Sequence, residues 1–340
     1  MRIDRPQTLL PKLNIEALLI ENPIDIFYLV GVWFSAAQLV ITEKSATLLL
    51  DRRYFDRFKN LPSCKVVLAG SDVLSGLKRV GFDSSFTSVD RLAFLQTTFP
   101  QVTWHPVSRS LKHLRAIKDA SEIAALKKAA QVTKEGYLES LKHLKEGVSE
   151  EEIAFLFEMF CRKKGASKLS FEPIVAFGEN SAYPHYRAGK ARLKKNQIVL
   201  LDLGAAFDDY YADMTRVFFF GEVDPKLVHF QELVKKALLV AEKEARPGVK
   251  MGELQANVKR FYMKEGVDSL FTHGLGHGIG LEAHEFPILR STGGDVDTIL
   301  EIGMVFTIEP GLYLPGLGGI RLENTYLMTK DGLENFYGDI

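Results

Sequence analysis

NQIVLLDLGAAFDDYYADMTRVFFF, residues 196–220, is the stretch whose reading decides the fold. Two runs rich in β-branched and aromatic residues flank Asp208-Asp209. With those two residues as the turn, Phe207 pairs with Tyr210 and Asp202 lies opposite Thr215. Asp213 is then two residues from that point on the same face, and the two carboxylates become diagonal neighbours. The run IVLLDLG is apolar enough to be buried, and an Asp inside a buried strand needs a partner or a cation.

A second hairpin of the same kind follows about a hundred residues on. GMVFTIEPGLYL (303–314) and GGIRLENTYLMT (318–329) are apolar strands interrupted by Glu309 and Glu323. The intervening PGLGG loop does not fix their register: a direct Glu309–Glu323 pairing sets the carboxylates side by side, whereas Pro310 points to a bulge. Helical spacing over Pro225 to Ala245 and Met251 to Glu265 separates the two hairpins, so this part of the chain reads as α+β. Each hairpin carries two acids, which has the look of a duplication.

Between the last helix and the second hairpin lies FTHGLGHGIGLEAHE (271–285), three of the chain's eight histidines with glycines between them. Glycine lets backbone approach closely and lets imidazoles reach a shared site. Known templates do not fit. Ile288 stands where the HExxH zinc motif needs His, Ile279 and Leu281 break GxGxxG, and neither GxxxxGK[ST] nor GxSxG occurs. Four strand-borne carboxylates and one imidazole instead suit two divalent ions a few ångströms apart, and an oxygen-rich donor set leans toward manganese.

Upstream, residues 15–50 alternate apolar runs (IEALLI, IDIFYLVGVWF, AAQLVI, ATLLL) with turn residues, which predicts strands. CKVVLA and TSVD are read as further strands, and DRRYFDRFKN and VLSGLKRV as short helices, giving a small α/β domain. From Leu111 to Glu146 apolar residues recur at helical spacing, with Asp119 or Ser121 a plausible N-cap near the domain boundary and Ser149 starting a fresh helix after Gly147. The chain of 340 residues balances 43 basic against 43 acidic side chains. It therefore has no global field to collect phosphates, and no nucleic-acid partner is expected. Two cysteines far apart make neither a zinc knuckle nor a disulfide framework. No run reaches the roughly 18 apolar residues of a membrane span, and the N-terminus has no signal-peptide core, so the expectation is a cytoplasmic protein without membrane partners.

LDLGAAFDDYYADMTR, HGLGHGIGLEAHE, TIEPGLY and GGIRLEN, in that order, resemble the motifs of the pita-bread metallopeptidases, which include aminopeptidase P, prolidase and methionine aminopeptidase. The segments YLVGVWFSAAQLVITEKSATLLLDRRYF (28–55) and RAIKDASEIAALKKAA (115–130) are similar to the N-terminal domain and the catalytic-domain opening of the Xaa-Pro branch. The resemblance covers nearly the whole chain. It implies an α/β creatinase/prolidase-like N-terminal domain over 1–118 and an α+β pita-bread catalytic domain over 119–340, the creatinase/aminopeptidase fold.

The resemblance also implies Asp202, Asp213, His277, Glu309 and Glu323 as ligands of two divalent metal ions, manganese first, with cobalt or zinc as alternatives. It implies hydrolysis of the bond between an N-terminal residue and a following proline by a water lying between the ions. Glu309 takes the proton, His273 stabilises the oxyanion, His284 holds the carbonyl or carboxyl side of the substrate, and His185 lines the pocket. Thr215 and Arg321 look like supports for the ligand carboxylates, while Asn324 departs from the acid often found there. The expected substrate is a peptide or dipeptide with proline second. An Arg often follows HExP in relatives; here Ile288 follows, with Arg290 beyond, which favours an aminopeptidase over a dipeptidase. A homodimer is expected, with Trp33 and Phe34 as candidate contacts, and a non-enzymatic binding protein is the remote alternative.

Overall fold

A computed structural model describes residues 2–293 and 296–338. The chain divides into two compact units, one up to Arg115 and one from Ala116 on.

The first unit is built on a six-stranded mixed sheet of β1 (Ala17–Ile20), β2 (Ala37–Thr42), β3 (Ala46–Leu50), β4 (Lys65–Leu68), β5 (Arg79–Phe82) and β6 (Thr103–Pro106), in the order β4-β3-β2-β1-β5-β6. β1, β2 and β3 pair antiparallel, while β4, β5 and β6 join in parallel, so this unit is α/β as expected. Three local expectations are corrected. IDIFYLV is not a strand: Pro23–Val30 is a helix, because Asn22 caps it through the Ile24 amide and Pro23 sits in its first turn. TSVD opens the helix Val89–Thr98, with the Ser88 hydroxyl accepting the Arg91 amide. VLSGLKRV contains no helix; the Asp72 carboxylate takes the Leu74 and Ser75 amides in a turn instead. Phe34, one candidate dimer contact, is a core residue set edge-on to Tyr54 and Phe58. Trp33 is partly exposed and stacks on Phe27 at 4.3 Å.

The second unit repeats one theme: a long antiparallel hairpin covered by a pair of helices. The first hairpin comprises β9 (Gln197–Leu203) with β12 (Met214–Phe220) and, nearer the turn, β10 (Ala205–Phe207) with β11 (Tyr210–Tyr211), the earlier β7 (Lys168–Leu169) and β8 (Ile174–Phe177) adding at its edges. Phe207 pairs with Tyr210 and Asp202 with Thr215, the register that the turn chemistry dictates. Asp208 and Asp209 both take positive φ, 48° and 67°, the mirror-image turn that matches strand twist. The helices Ala120–Leu141 and Glu150–Lys163 cover this hairpin, burying Ala129, Ile153 and Phe157 against Val175, Val199 and Leu201. Each begins with a reciprocal capping box, Asp119 with Glu122 and Ser149 with Glu152.

The second half adds β13 (Gly276–Gly278), β14 (Glu285–Leu289), β15 (Val305–Ile308), β16 (Gly311–Leu314), β17 (Gly318–Arg321), β18 (Asn324–Thr329) and β19 (Gly332–Asn335). Five of these form a sheet in the order β14-β13-β15-β18-β19, and β16 and β17 pair as the hairpin's tip. Ile308 pairs with Asn324 and Gly311 with Arg321. The same register therefore runs through the break and sets Glu309 opposite Glu323. The helices Pro225–Glu244 and Met251–Lys264 cover this half through Phe230, Leu233, Leu254 and Val258 against Phe306, Ile308 and Leu312.

Candidate metal centre and substrate cavity

Hydrogen bonds to backbone carbonyls of the two hairpins bring their acids together. The Glu323 amide donates to the Thr215 carbonyl at 3.2 Å, the Thr325 hydroxyl and the Tyr337 phenol both donate to the Asp213 carbonyl, and Arg216 Nη1 donates to the Glu323 carbonyl. His277 reaches the same place from β13, the strand beside β15. Its glycine neighbours are required by close approach rather than by flexibility. A Cβ on Gly276 would lie 2.1 Å from the Thr307 carbonyl oxygen, and one on Gly278 would lie 2.3 Å from that of Phe286.

Asp213, His277 and Glu323 each offer a ligand atom within 4.8 Å of the others, all three side chains buried. His277 Nε2 lies 3.6 Å from Asp213 Oδ2 and 3.6 Å from Glu309 Oε1. Its tautomer is set by Nδ1, which donates to the Gly278 carbonyl and leaves the Nε2 lone pair facing the acids. Asp202 is held by Arg321 Nη2 at 2.6 Å, and Glu323 Oε2 accepts from Thr215 Oγ1 at 2.7 Å. Thr215 accepts in turn from Arg321 Nε at 2.9 Å, and its one hydrogen goes to Glu323.

Three buried oxygens, Asp202 Oδ1, Asp213 Oδ1 and Glu323 Oε1, find no donor among the described residues. Buried carboxylate oxygens without donors are expensive, and four carboxylates around one guanidinium call for further positive charge. The protein alone answers by holding protons. Burial, and then Glu323, pushes Asp213 and Glu309 well above the usual carboxylate range, and burial with Asp202 lifts Glu323 to about 7. Burial and then the neighbouring His284 press His277 down to about 3, which keeps the imidazole neutral, the form that ligates. The orphaned oxygens, the neutral imidazole and the oxygen-rich donor set fit divalent cations.

A cavity of about 590 Å³ opens over these residues, a size that suits a small ligand. All the residues anticipated as ligands line it, with His185, His273 and His284. Its walls also contain Phe171, Ile174, Pro184 and Ile288, and two guanidinium groups, Arg187 and Arg290. His284 packs against His277 with ring centroids 3.9 Å apart and the rings tilted by 38°. His273 is committed inside the protein: Nδ1 bonds the Gly274 carbonyl at 2.7 Å, and Nε2 meets the Tyr313 hydroxyl at 2.9 Å. Because Arg321 Nη1 donates to that hydroxyl at 2.8 Å, the phenol hydrogen goes to Nε2. Neither nitrogen of His273 is then free to donate to an oxyanion in this arrangement.

The sequence reading missed Tyr313, which links Arg321 to His273. The available signal was a tyrosine in a buried strand, which needs a partner for its hydroxyl. It also missed the buried pair Lys118–Glu285, 2.8 Å apart, which ties the segment after His284 to the start of the unit. Asn324 is not idle either. Its Oδ1 accepts from Arg216 Nη2 at 2.7 Å and its Nδ2 donates to Tyr326, so the amide orients the arginine that grips Glu323's backbone.

Comparison with known proteins gives matches over both units. The model for metallopeptidase family M24 matches residues 124–330, and that for the creatinase/prolidase N-terminal domain matches residues 2–117. An Xaa-Pro dipeptidase of Pyrococcus horikoshii is 32% identical over 330 residues, 94% of this chain and 92% of that protein. Among solved structures, the Xaa-Pro dipeptidase from Bacillus anthracis superimposes with a TM-score of 0.93 at 31% identity, covering 100% of this chain and 97% of that one. The X-Pro aminopeptidase from Thermotoga maritima superimposes with a TM-score of 0.86 at 30% identity, covering 97% of each.

Proposed function

The chain belongs to metallopeptidase family M24, with a creatinase/prolidase-type N-terminal domain ahead of the catalytic one, and from that premise we propose that it is a metal-dependent Xaa-Pro peptidase. The observation that carries the reading is the set of orphaned carboxylate oxygens around a neutral His277 at the floor of a cavity. Asp202, Asp213, His277, Glu309 and Glu323 would hold two divalent ions. When bound, such ions supply Lewis acidity that polarises the scissile carbonyl and makes water a nucleophile near neutral pH.

The chain's own groups do the rest. Glu309 is less buried than the other acids and faces the cavity, so it is the group to take the proton of the attacking water and return it to the leaving nitrogen. His185 and His284 are exposed to the cavity and can donate to the carbonyl oxygen as charge develops on it. His273, through Tyr313, holds Arg321 against Asp202 and so positions a carboxylate. A proline ring has no amide hydrogen to recognise, and Phe171, Ile174, Pro184 and Ile288 offer it apolar walls.

Two readings differ in the group that the substrate carries beyond proline. The absence of an arginine at 288 favours an aminopeptidase. Arg290 and Arg187, however, stand in the same cavity wall as the histidines, and a guanidinium there suits the free carboxylate of a dipeptide. The full-length relative's name, Xaa-Pro dipeptidase, points the same way. Release of the first residue from matched Xaa-Pro and Xaa-Pro-Yaa peptides, with manganese or with chelator, tests both. Chelator-sensitive cleavage of either supports the proposal and assigns the branch, and inertness toward both with metal bound overturns it. Manganese is preferred on the hardness of the donors. No described helix is long and apolar enough to cross a membrane, and two free cysteines accord with a reducing, cytoplasmic setting. A homodimer completes the proposal.

A further inference from the structure

Glu150, a fully buried carboxylate outside the cavity wall, sits in the first turn of the helix Glu150–Lys163. It accepts four hydrogen bonds, all from one segment. Oε1 takes the Phe177 amide and Asn180 Nδ2, each at 2.9 Å. Oε2 takes the Tyr186 hydroxyl at 2.8 Å and the Gly189 amide at 3.1 Å. Asn180 Nδ2 also donates to the Tyr186 oxygen at 2.9 Å, which directs the phenol hydrogen to Glu150. Burial and this bond raise Tyr186 to about 12, so it stays a donor.

Residues 177–189 are the loop that carries Pro184, His185, Tyr186 and Arg187 into the cavity wall. One side chain therefore grips that loop at both ends and twice between. We propose that Glu150 is a positioning residue for substrate binding: it fixes the loop, and through it the His185 and Arg187 side of the cavity, without touching substrate. The inference rests on the peptidase reading above for its kinetic part, and on geometry alone for the anchoring.

Glu150→Gln tests it, because an amide nitrogen must then face two donors at one end of the network. The expected result is faster amide hydrogen exchange over residues 177–189 and a KM for the cleaved Xaa-Pro peptide raised about tenfold or more, the scale of one lost charge-assisted bond. kcat should fall as well, because the same loop carries His185 toward the developing carbonyl charge, while manganese affinity should be unchanged, since among the described residues the hydrogen-bond partners of Glu150 include none of the candidate metal ligands. Unchanged exchange, or faster exchange with unchanged KM, overturns the proposal. Should Glu150→Gln fail to fold, Asn180→Ala removes two bonds of the network and must move exchange and KM in the same direction, or the proposal falls. A wild-type protein inert toward Xaa-Pro peptides would refute the peptidase reading, and the exchange experiment would still decide the anchoring.

Discussion

Replacing Thr215 by Val preserves shape and deletes one oxygen, and that oxygen is the joint between Arg321 and Glu323. Thr215 is wholly buried. Its hydroxyl donates to Glu323 at 2.7 Å and accepts from Arg321 at 2.9 Å, two bonds to charged groups of about 1.5–3 kcal/mol each. Arg321 keeps Asp202 and Tyr313, so the lower end applies and the metal-free protein should lose about 3 kcal/mol. At roughly 2–4 °C per kcal/mol for a unit of this size, Tm should fall by roughly 6–12 °C. Metal affinity should fall about 10–100-fold, the usual cost of removing a group that orients a ligand. Titration of manganese against a chromophoric chelator and thermal unfolding of the chelated protein measure the two effects separately. Thr215→Ser, which restores the hydroxyl, should bring affinity back to within a few-fold. A Val variant that binds manganese within about threefold of wild type and melts within about 2 °C of it would refute the reasoning that Glu323 is held for the metal through Thr215.

Three further outcomes are expected. Asp213→Ala or His277→Ala should abolish stoichiometric manganese binding and turnover with an unchanged far-UV circular dichroism spectrum, and normal turnover in either would remove the two-ion assignment. Arg290→Ala should raise KM for an Xaa-Pro dipeptide about 10–100-fold, one guanidinium–carboxylate bond, and leave a C-terminally amidated Xaa-Pro-Yaa peptide within about twofold; equal effects on both would show that Arg290 does not read the carboxylate. Stability of the chelated protein should fall as pH rises from 6.5 to 8. The folded carboxylates Asp213, Glu309 and Glu323 hold protons above their unfolded values, so the native state binds more protons in that window and loses stability as they leave. The depressed histidines act oppositely but only below about 6.5. Chemical denaturation across the window, with and without manganese, measures the slope, and a flat or rising profile without metal would contradict the assignment.

The first hairpin was legible because everything needed to place it was local. A two-residue acidic turn and a period of two residues fix Asp202 opposite Thr215 before any tertiary contact is considered. The second hairpin was not, because PGLGG allows several closures, and the continuous register shows only in the pairings of β15 with β18 and of β16 with β17 on either side of Glu309. IDIFYLV misled for a similar reason: its apolar run suits strand or helix, and Asn22-Pro23 decides for helix at the terminus alone. The candidate ligand acids showed themselves as charges inside apolar runs, although in the structure only Asp202 lies within a strand and the other three sit in the breaks between strands. Tyr313, Lys118 and Glu150 did not, since each depends on a partner distant in sequence, His273 for Tyr313, Glu285 for Lys118 and residues 177–189 for Glu150.

That last property bears on how the protein is made. Thr215 meets Glu323 across 108 residues and Arg321 meets Asp202 across 119, so no early fragment of the chain contains a whole site. Such distant pairings close late in folding. A ribosome that has already released the first hairpin still holds the residues that complete the centre, and a growing or prematurely ended chain offers only half a set of acids. On the proposed ligand set, tight capture of a divalent ion thus becomes available only after Glu323 has been synthesised and folded against the first hairpin, and the proposed peptidase would stay inactive until then.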